Sequence, residues 1–301
     1  MASGSIARFE QPDPLRRPGA GPTVLRMMLG GQLRRLREAR GASPDEAAEA
    51  IRGTRSKISR LELGRSSFKQ RDVADLLTFY QVNDAQERES LLALARQANA
   101  PGWWHQYADL VPTWLETYIG LEEAASVIRT YEMQFVHGLL QTPDYARAVV
   151  RLRHEETPEA EVTRRVDLRL HRQRLLDDTD SGPQVWSVID ESALRRPYGG
   201  AEVMRAQLRH LLEIAEHPGV TLQVMPFAAG GHAAAGGPFT ILRFPEPDLP
   251  DVIYLEQLTS ALYLDKTTDV DDYTNTMNQL CVDAEPPEHT ADLLNRILKE
   301  T

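Results

Sequence analysis

At 301 residues the chain exceeds the usual size of one domain, so two domains are expected, each long enough to bury a core. Hydrophobic residues at 42 % and charged ones at 26 %, with 19 glycines and 19 prolines, exclude collagen-like and low-complexity chains. The net charge of −10 argues, taken whole, against a nucleic-acid partner, and the lone Cys281 excludes a disulfide framework or a cysteine-rich zinc scaffold.

The cysteine usage fits a reducing compartment, and a cytoplasmic location is expected. No run of eighteen apolar residues occurs, and the first 22 residues lack the apolar stretch of a signal peptide. Neither a membrane span nor export is therefore expected. The average charge conceals a division. Residues 24–70 hold eleven Arg or Lys against five Asp or Glu, a net +6, whereas everything after residue 70 carries −17. A small basic module on a large acidic body fits a first part that meets phosphate and a second with another task.

Residues 1–22 hold four prolines and show no periodicity, and they read as a mobile arm carrying Arg8, Arg16 and Arg17. From Leu25 the apolar residues Leu25, Leu29, Leu33 and Leu36 fall at helical spacing, with Arg34, Arg35, Arg37 and Arg40 on other faces and Gly41 as the stop. Ser43-Pro44-Asp45-Glu46 combines an N-cap, a first-turn proline and a glutamate three residues after the cap. That capping box predicts a second helix to about Ile51.

After the turn Arg52-Gly53-Thr54, a third helix is predicted over Arg55 to Glu62, ending at Gly64. Ile58 and Leu61 would hold it to the core, leaving Arg55, Ser56, Lys57, Ser59 and Arg60 pointing outward. Guanidinium, ammonium and hydroxyl groups on an exposed helix are the donors that read base edges and phosphates in a major groove. Val73, Leu76, Leu77 and Tyr80 predict a fourth helix, and Leu91, Leu92, Leu94 and Ala95 a fifth. Residues 23–100 are thus expected to form an all-α, five-helix module.

Leu33-Arg34-Arg35-Leu36-Arg37-Glu38, followed by Arg55-Ser56-Lys57-Ile58-Ser59-Arg60-Leu61-Glu62-Leu63-Gly64-Arg65, resembles the Xre-type, phage-repressor-like helix-turn-helix. The resemblance implies that Arg55, Ser56, Lys57 and Ser59 contact bases, while Arg60 and Arg65 engage phosphates of double-stranded DNA; Lys69, just beyond, is expected to join them. A homodimer on a near-palindromic site is expected, because one such module contacts too few base pairs for strong discrimination. Two departures stand out: Pro44 occupies a position where members usually carry glutamine, and Arg52 precedes the turn glycine, Gly53.

Pro101-Gly102 and the aromatic cluster Trp103-Trp104-His105-Gln106-Tyr107 mark the start of a second domain, residues 101–301. Helical patterning covers 113–131, 143–153, 159–177, 200–217, 269–283 and 287–299; strands are predicted at Val185–Ile189, Val220–Met225, Phe239–Phe244 and Val252–Leu255. An α+β domain with a mixed or antiparallel sheet is expected. Its chemistry is sparse. Asp190-Glu191 are adjacent on an extended chain and would face opposite ways, the glycine-rich 229–237 segment lacks Lys-Ser or Lys-Thr, and His137 and His232 have no ligand spacing. Cys281 reads as a core residue, and no catalytic activity, cofactor or metal is expected.

A second resemblance covers nearly all of 103–299. Tyr118-Ile119-Gly120-Leu121-Glu122, Gly138-Leu139-Leu140-Gln141-Thr142-Pro143-Asp144-Tyr145-Ala146-Arg147 and Arg172-Gln173-Arg174-Leu175-Leu176 are similar to the domain of unknown function in WhiJ-like, antitoxin-like actinobacterial regulators. Asp190-Glu191, Leu194-Arg195-Arg196, Gly199-Gly200, Pro238-Phe239-Thr240 and Tyr254-Leu255-Glu256 continue it, with His137 where members usually have proline. The resemblance implies a small cognate partner protein encoded by a neighbouring gene. Gly138 to Arg147 and Val252 to Glu256 are candidate partner surfaces, set against the reading that strongly patterned segments are simply core; the alternative for the whole domain is a small-molecule sensor with its pocket there.

Overall fold

The structure, a computed structural model, describes residues 21–153, 155–178, 182–234, 236–246 and 249–301. All but the last two residues of the expected arm lie outside the described residues. The chain divides into two units, the first ending at Pro101 and the second beginning at Gly102.

The first unit is helical: α1 (Pro22–Ala39), α2 (Pro44–Ala50), α3 (Arg55–Glu62), α4 (Gln70–Phe79) and α5 (Ala85–Ala98). Leu29, Leu33, Ile58, Leu61, Val73, Leu76, Leu77 and Leu91 share one core, which explains why short helices with few bonds of their own persist. The Asn99 side chain accepts from the Phe68 amide at 2.9 Å and donates to the Phe68 carbonyl, tying the chain before α4 to the end of α5.

The second unit comprises α6 (Thr113–Ala124), β1 (Val127–Glu132), α7 (Pro143–Arg153), α8 (Glu159–Gln173), β2 (Gln184–Asp190), α9 (Glu191–Leu194), α10 (Ala201–Ile214), β3 (Val220–Met225), β4 (Phe239–Arg243), β5 (Val252–Glu256), β6 (Ala261–Leu264), α11 (Thr267–Asp283) and α12 (Pro287–Glu300). The six strands form one mixed sheet in the order β3-β2-β1-β4-β5-β6. β1 pairs parallel with β2 and antiparallel with β4, so it joins a parallel half to an antiparallel half.

This corrects the helix expected over 113–131. The helix stops at Ala124, and residues 127–132 are the strand on which the sheet turns. Ile128, Thr130 and Tyr131 are all buried, and burial on both faces erases the alternation that would have marked a strand in the sequence. Strand β6 was also not anticipated; its four residues are too few for a clear period.

One sheet face packs Tyr131, Val188, Phe239 and Ile253 against Met277 and Leu280 of α11. The other face holds a buried polar cluster. Arg172 of α8 grips Glu122 of α6 through two bonds, Nε to Oε2 at 2.7 Å and Nη2 to Oε1 at 2.8 Å, and its guanidinium lies 5.3 Å above the Tyr118 ring. Tyr118 stacks on Tyr254, and its hydroxyl is 3.2 Å from His137 Nε2. The Leu139 amide donates to His137 Nδ1, which places the neutral ring's proton on Nε2.

For both candidate partner segments the packing favours the core reading over the surface one. Leu139, Leu140, Gln141, Tyr145 and Ala146 are buried, as are Val252, Ile253 and Tyr254. Gln207 secures the first segment by accepting from the Thr142 amide and donating to the Leu140 carbonyl, both at 2.7 Å. The apolar positions of both segments are thus interior, while Pro143, Asp144 and Glu256 remain exposed.

Burial first, with Arg172 and Arg169 adding to it against the opposing Glu122 charge, lowers the His137 imidazole to about 4. The neutral ring is therefore favoured in the folded state, and its contribution is present above the ordinary value of 6.5 and lost as pH falls towards 4. Glu132 acts in the opposite sense: burial, then the Glu256 charge, pushes its carboxyl up to about 8, a contribution present below its ordinary value of 4.5 and lost as pH rises through 8. Comparing wild type with His137→Gln isolates the first effect. The stability difference measured by urea unfolding should shrink by about 3 kcal/mol between pH 6.5 and 4; an unchanged difference would show that His137 titrates normally.

Candidate nucleic-acid interface

The α2-turn-α3 segment is shaped by its caps. Ser43 Oγ accepts from the Glu46 amide at 3.2 Å while the Glu46 carboxylate accepts from the Ser43 amide at 2.8 Å. Pro44 sits at the first helical position, where a missing N–H costs nothing but also leaves no polar side chain to brace a DNA contact. Thr54 Oγ1 accepts from the Lys57 amide at 3.2 Å and starts α3.

The turn between them is a Schellman motif: the Arg52 amide donates to Glu49 O and the Gly53 amide to Ala48 O. The left-handed position is taken by Arg52, with φ +51°, rather than by Gly53. The same paired bonds end α1 at Gly41, α3 at Gly64 and α4 at Gln81. A side chain in this region costs about 1–2 kcal/mol, so Arg52→Gly, which touches no core residue, should raise stability by about 0.5–1 kcal/mol in urea unfolding after the extra entropy of the unfolded glycine is set against it. A loss of stability would mean that the Arg52 side chain contributes more than its strain.

How α3 is held decides what it presents. Arg37 of α1, expected on an outer face, is instead buried: its Nε and Nη2 donate to the two Glu62 oxygens at 2.6 and 2.9 Å, and its Nη1 to Ala42 O at 3.0 Å. Two glycines let the backbones close in. A Cβ on Gly30 would lie 2.5 Å from Leu61 O, and one on Gly64, which has φ +65°, 2.6 Å from Met27 N. Against α1, therefore, the C-terminal half of α3 has one seating. The Arg37–Glu62 pair has no signature of its own, since Arg34, Arg35, Arg37 and Arg40 look alike in the sequence; only the phase with Leu33 and Leu29 separates Arg37 from the others.

With Ile58 and Leu61 inward, Arg55, Ser56, Ser59 and Arg60 are exposed on the opposite face. Arg55 stands 3.6 Å from Asp45, both side chains more than 60 % exposed, a pair that water and salt screen. Lys69 is exposed at the start of α4, and Arg65 is half-buried beyond Gly64. Lys57 departs from the outward orientation expected: its side chain is 30 % exposed and its Nζ lies 2.5 Å from Asp72 of α4, whose carboxylate is nearly buried. One helical residue separates Ser56 from Ile58, so Lys57 falls at the boundary of the two faces, and Asp72 draws it in.

These placements separate anchor from free donor. Lys57→Ala leaves the Asp72 carboxylate without its cation and should destabilise the first unit by about 1–3 kcal/mol in thermal or urea unfolding. Arg55→Ala should change stability by less than about 0.5 kcal/mol. Equal effects would contradict the assignment of Lys57 to the helix-helix contact.

In the second unit, the chemistry-bearing residues serve structure. Asp190 accepts from the Ser192 amide at 2.8 Å and caps α9, while Glu191 accepts from Phe227 N at 2.8 Å and Arg195 Nε at 2.6 Å. His232 takes the Ala234 amide on Nδ1 and sits 3.1 Å from the Tyr131 hydroxyl. Cys281 is half-buried beside Arg129, 3.5 Å from Nη2, and burial pushes its thiol up. Among the described residues no cluster of three His, Cys, Asp or Glu is arranged to hold a metal ion, and no helix is long and apolar enough to cross a membrane.

A capped pair of short helices with a basic exposed second helix defines a helix-turn-helix DNA-binding region. In agreement, residues 28–91 match the family model described as a helix-turn-helix domain, a kind typical of Xre-like regulators. Residues 115–296 match the model of the domain of unknown function DUF5753, and the chain belongs to that family. No curated protein and no solved structure matches the chain.

Proposed function

We propose that the protein is a cytoplasmic, sequence-specific transcription regulator of the Xre type that binds its operator as a homodimer, with the C-terminal domain setting the affinity. The observation that carries this reading is the exposed Arg55, Ser56, Ser59 and Arg60 face of a helix whose opposite side is locked to α1. Arg55, Ser56 and Ser59 read bases; Arg60, Arg65 and Lys69 hold phosphates. Lys57 keeps a part in base contact only if DNA phosphate or base competes with Asp72. A single module contacts too few base pairs for strong discrimination, so two copies on a two-fold site are the economical arrangement.

The C-terminal domain is read as antitoxin-like, binding a small cognate protein from a neighbouring gene in an actinobacterial setting and acting without catalysis. Its support is the ordered resemblance along 103–299. For a partner to regulate, it must bind the DNA-competent and incompetent states unequally.

Fluorescence anisotropy of the purified protein against DNA upstream of its own and adjacent genes, with a scrambled duplex as control, tests the reading. Specific binding at least about a thousandfold tighter than to the scrambled duplex is expected. Arg55→Ala should cost about 1–3 kcal/mol and relax base preference, whereas Lys69→Ala should weaken all sequences alike and flatten the salt slope by about one. Equal, weak binding to both duplexes would overturn sequence-specific recognition by this helix.

A further inference from the structure

The second unit contains a cleft of about 220 Å³ between the Trp103–Tyr107 turn, α6 and α8. A cavity of about 150 Å³ already holds a benzene ring, so the cleft has room for a substituted six-membered ring. Its apolar wall is made by Trp103, Ile119 and Leu175, and Trp103 is fixed by stacking on the His171 imidazole, 4.1 Å between ring centres and 9° from parallel. That stack holds the wall in place before any ligand arrives.

The polar side of the cleft is unbalanced towards donors. At the floor, both Glu122 oxygens are consumed by Arg172, which uses Nε and Nη2; Nη1 has no hydrogen-bond partner among the described residues. Arg174 lines the same cleft, exposed, and its guanidinium likewise makes no hydrogen bond or ion pair among the described residues. The remaining carboxyl, Glu123, is half-buried, and burial pushes it up against a smaller opposing bond from Trp103, so that its side chain is engaged with the Trp103 wall. Spare guanidinium donors beside an apolar wall are the complement of a flat molecule bearing one anionic group.

We propose that this cleft binds a small monocyclic aromatic carboxylate, its ring against Trp103, Ile119 and Leu175 and its carboxylate on Arg174 and Arg172 Nη1. The inference deepens the regulator reading by naming an effector class, and it rests on that reading only for its purpose. Binding is measured without DNA, so failure of the site and failure of DNA recognition are seen separately.

The test is titration calorimetry of the full chain with benzoate as the probe and benzamide as its neutral counterpart. Saturable benzoate binding with Kd of about 0.1–1 mM is expected, with benzamide at least about tenfold weaker. Arg174→Gln, a change at an exposed position, should weaken benzoate at least about tenfold with an unchanged unfolding temperature, while Arg174→Lys should retain most of the affinity. No saturation up to about 10 mM, equal affinity for the two probes, or Arg174→Gln binding as wild type would each overturn the site.

Discussion

The bidentate bond between Arg37 and Glu62 fixes how the second helix of the helix-turn-helix is presented. It is nearly buried, so the Coulomb attraction works at short range with little water to screen it, and removing one partner would leave a charge stranded at a cost of about 3–5 kcal/mol. Its position matters more than its strength. Glu62 is the last residue of α3 and Arg37 lies near the end of α1, so the bond sets the rotation of the recognition helix about its axis. Gly30 and Gly64 add a steric constraint, since no side chain fits where the two backbones meet. With rotation and approach both fixed, the side of α3 carrying Arg55, Ser56 and Ser59 has no alternative to solvent.

The second unit uses an ion pair of the same kind for another purpose. Glu122 and Arg172 join α6 to α8 over the sheet, and Tyr118, His137 and Tyr254 extend the polar layer around them. A nearly buried arginine with its fully buried carboxylate is poor stabilisation compared with apolar packing, because desolvation offsets most of the attraction. It does impose one geometry on α6 and α8, and both partners of the pair line the Trp103 cleft. Three stretches of the region that matches DUF5753 supply this layer: Tyr118 and Glu122 from α6, His137 and Leu139 from the turn after β1, and Arg172 from α8.

Much of the first unit was legible in the sequence because its signals are local. Ser43 with Glu46, Thr54 before Arg55, and Gly41 and Gly64 after their helices act within four residues of themselves, and each ends or starts the helix it was expected to. The turn at Arg52 was harder. The glycine that usually fills the left-handed position stands one place later, and the paired bonds to Glu49 and Ala48 put the arginine there. In the second unit β1 escaped notice because both its faces are covered, and a strand without a polar face has no alternation to display.

By itself, the sequence determined the basic first module and acidic body, the five short helices with their caps, and the residue types offered on α3, since all of these depend on composition or on neighbours along the chain. Tertiary structure decided which arginine is interior and which exterior, drew Lys57 to Asp72, placed residues 127–132 at the centre of the sheet, and settled the apolar positions of 138–147 and 252–256 as core rather than surface. It also brought Trp103, Glu122 and Arg172 to one cleft from positions up to 69 residues apart. The physical reason is the same in each case. Charge pairing and burial act through space at a few ångströms, and residues that meet only after folding leave no period or cap by which the chain can announce them.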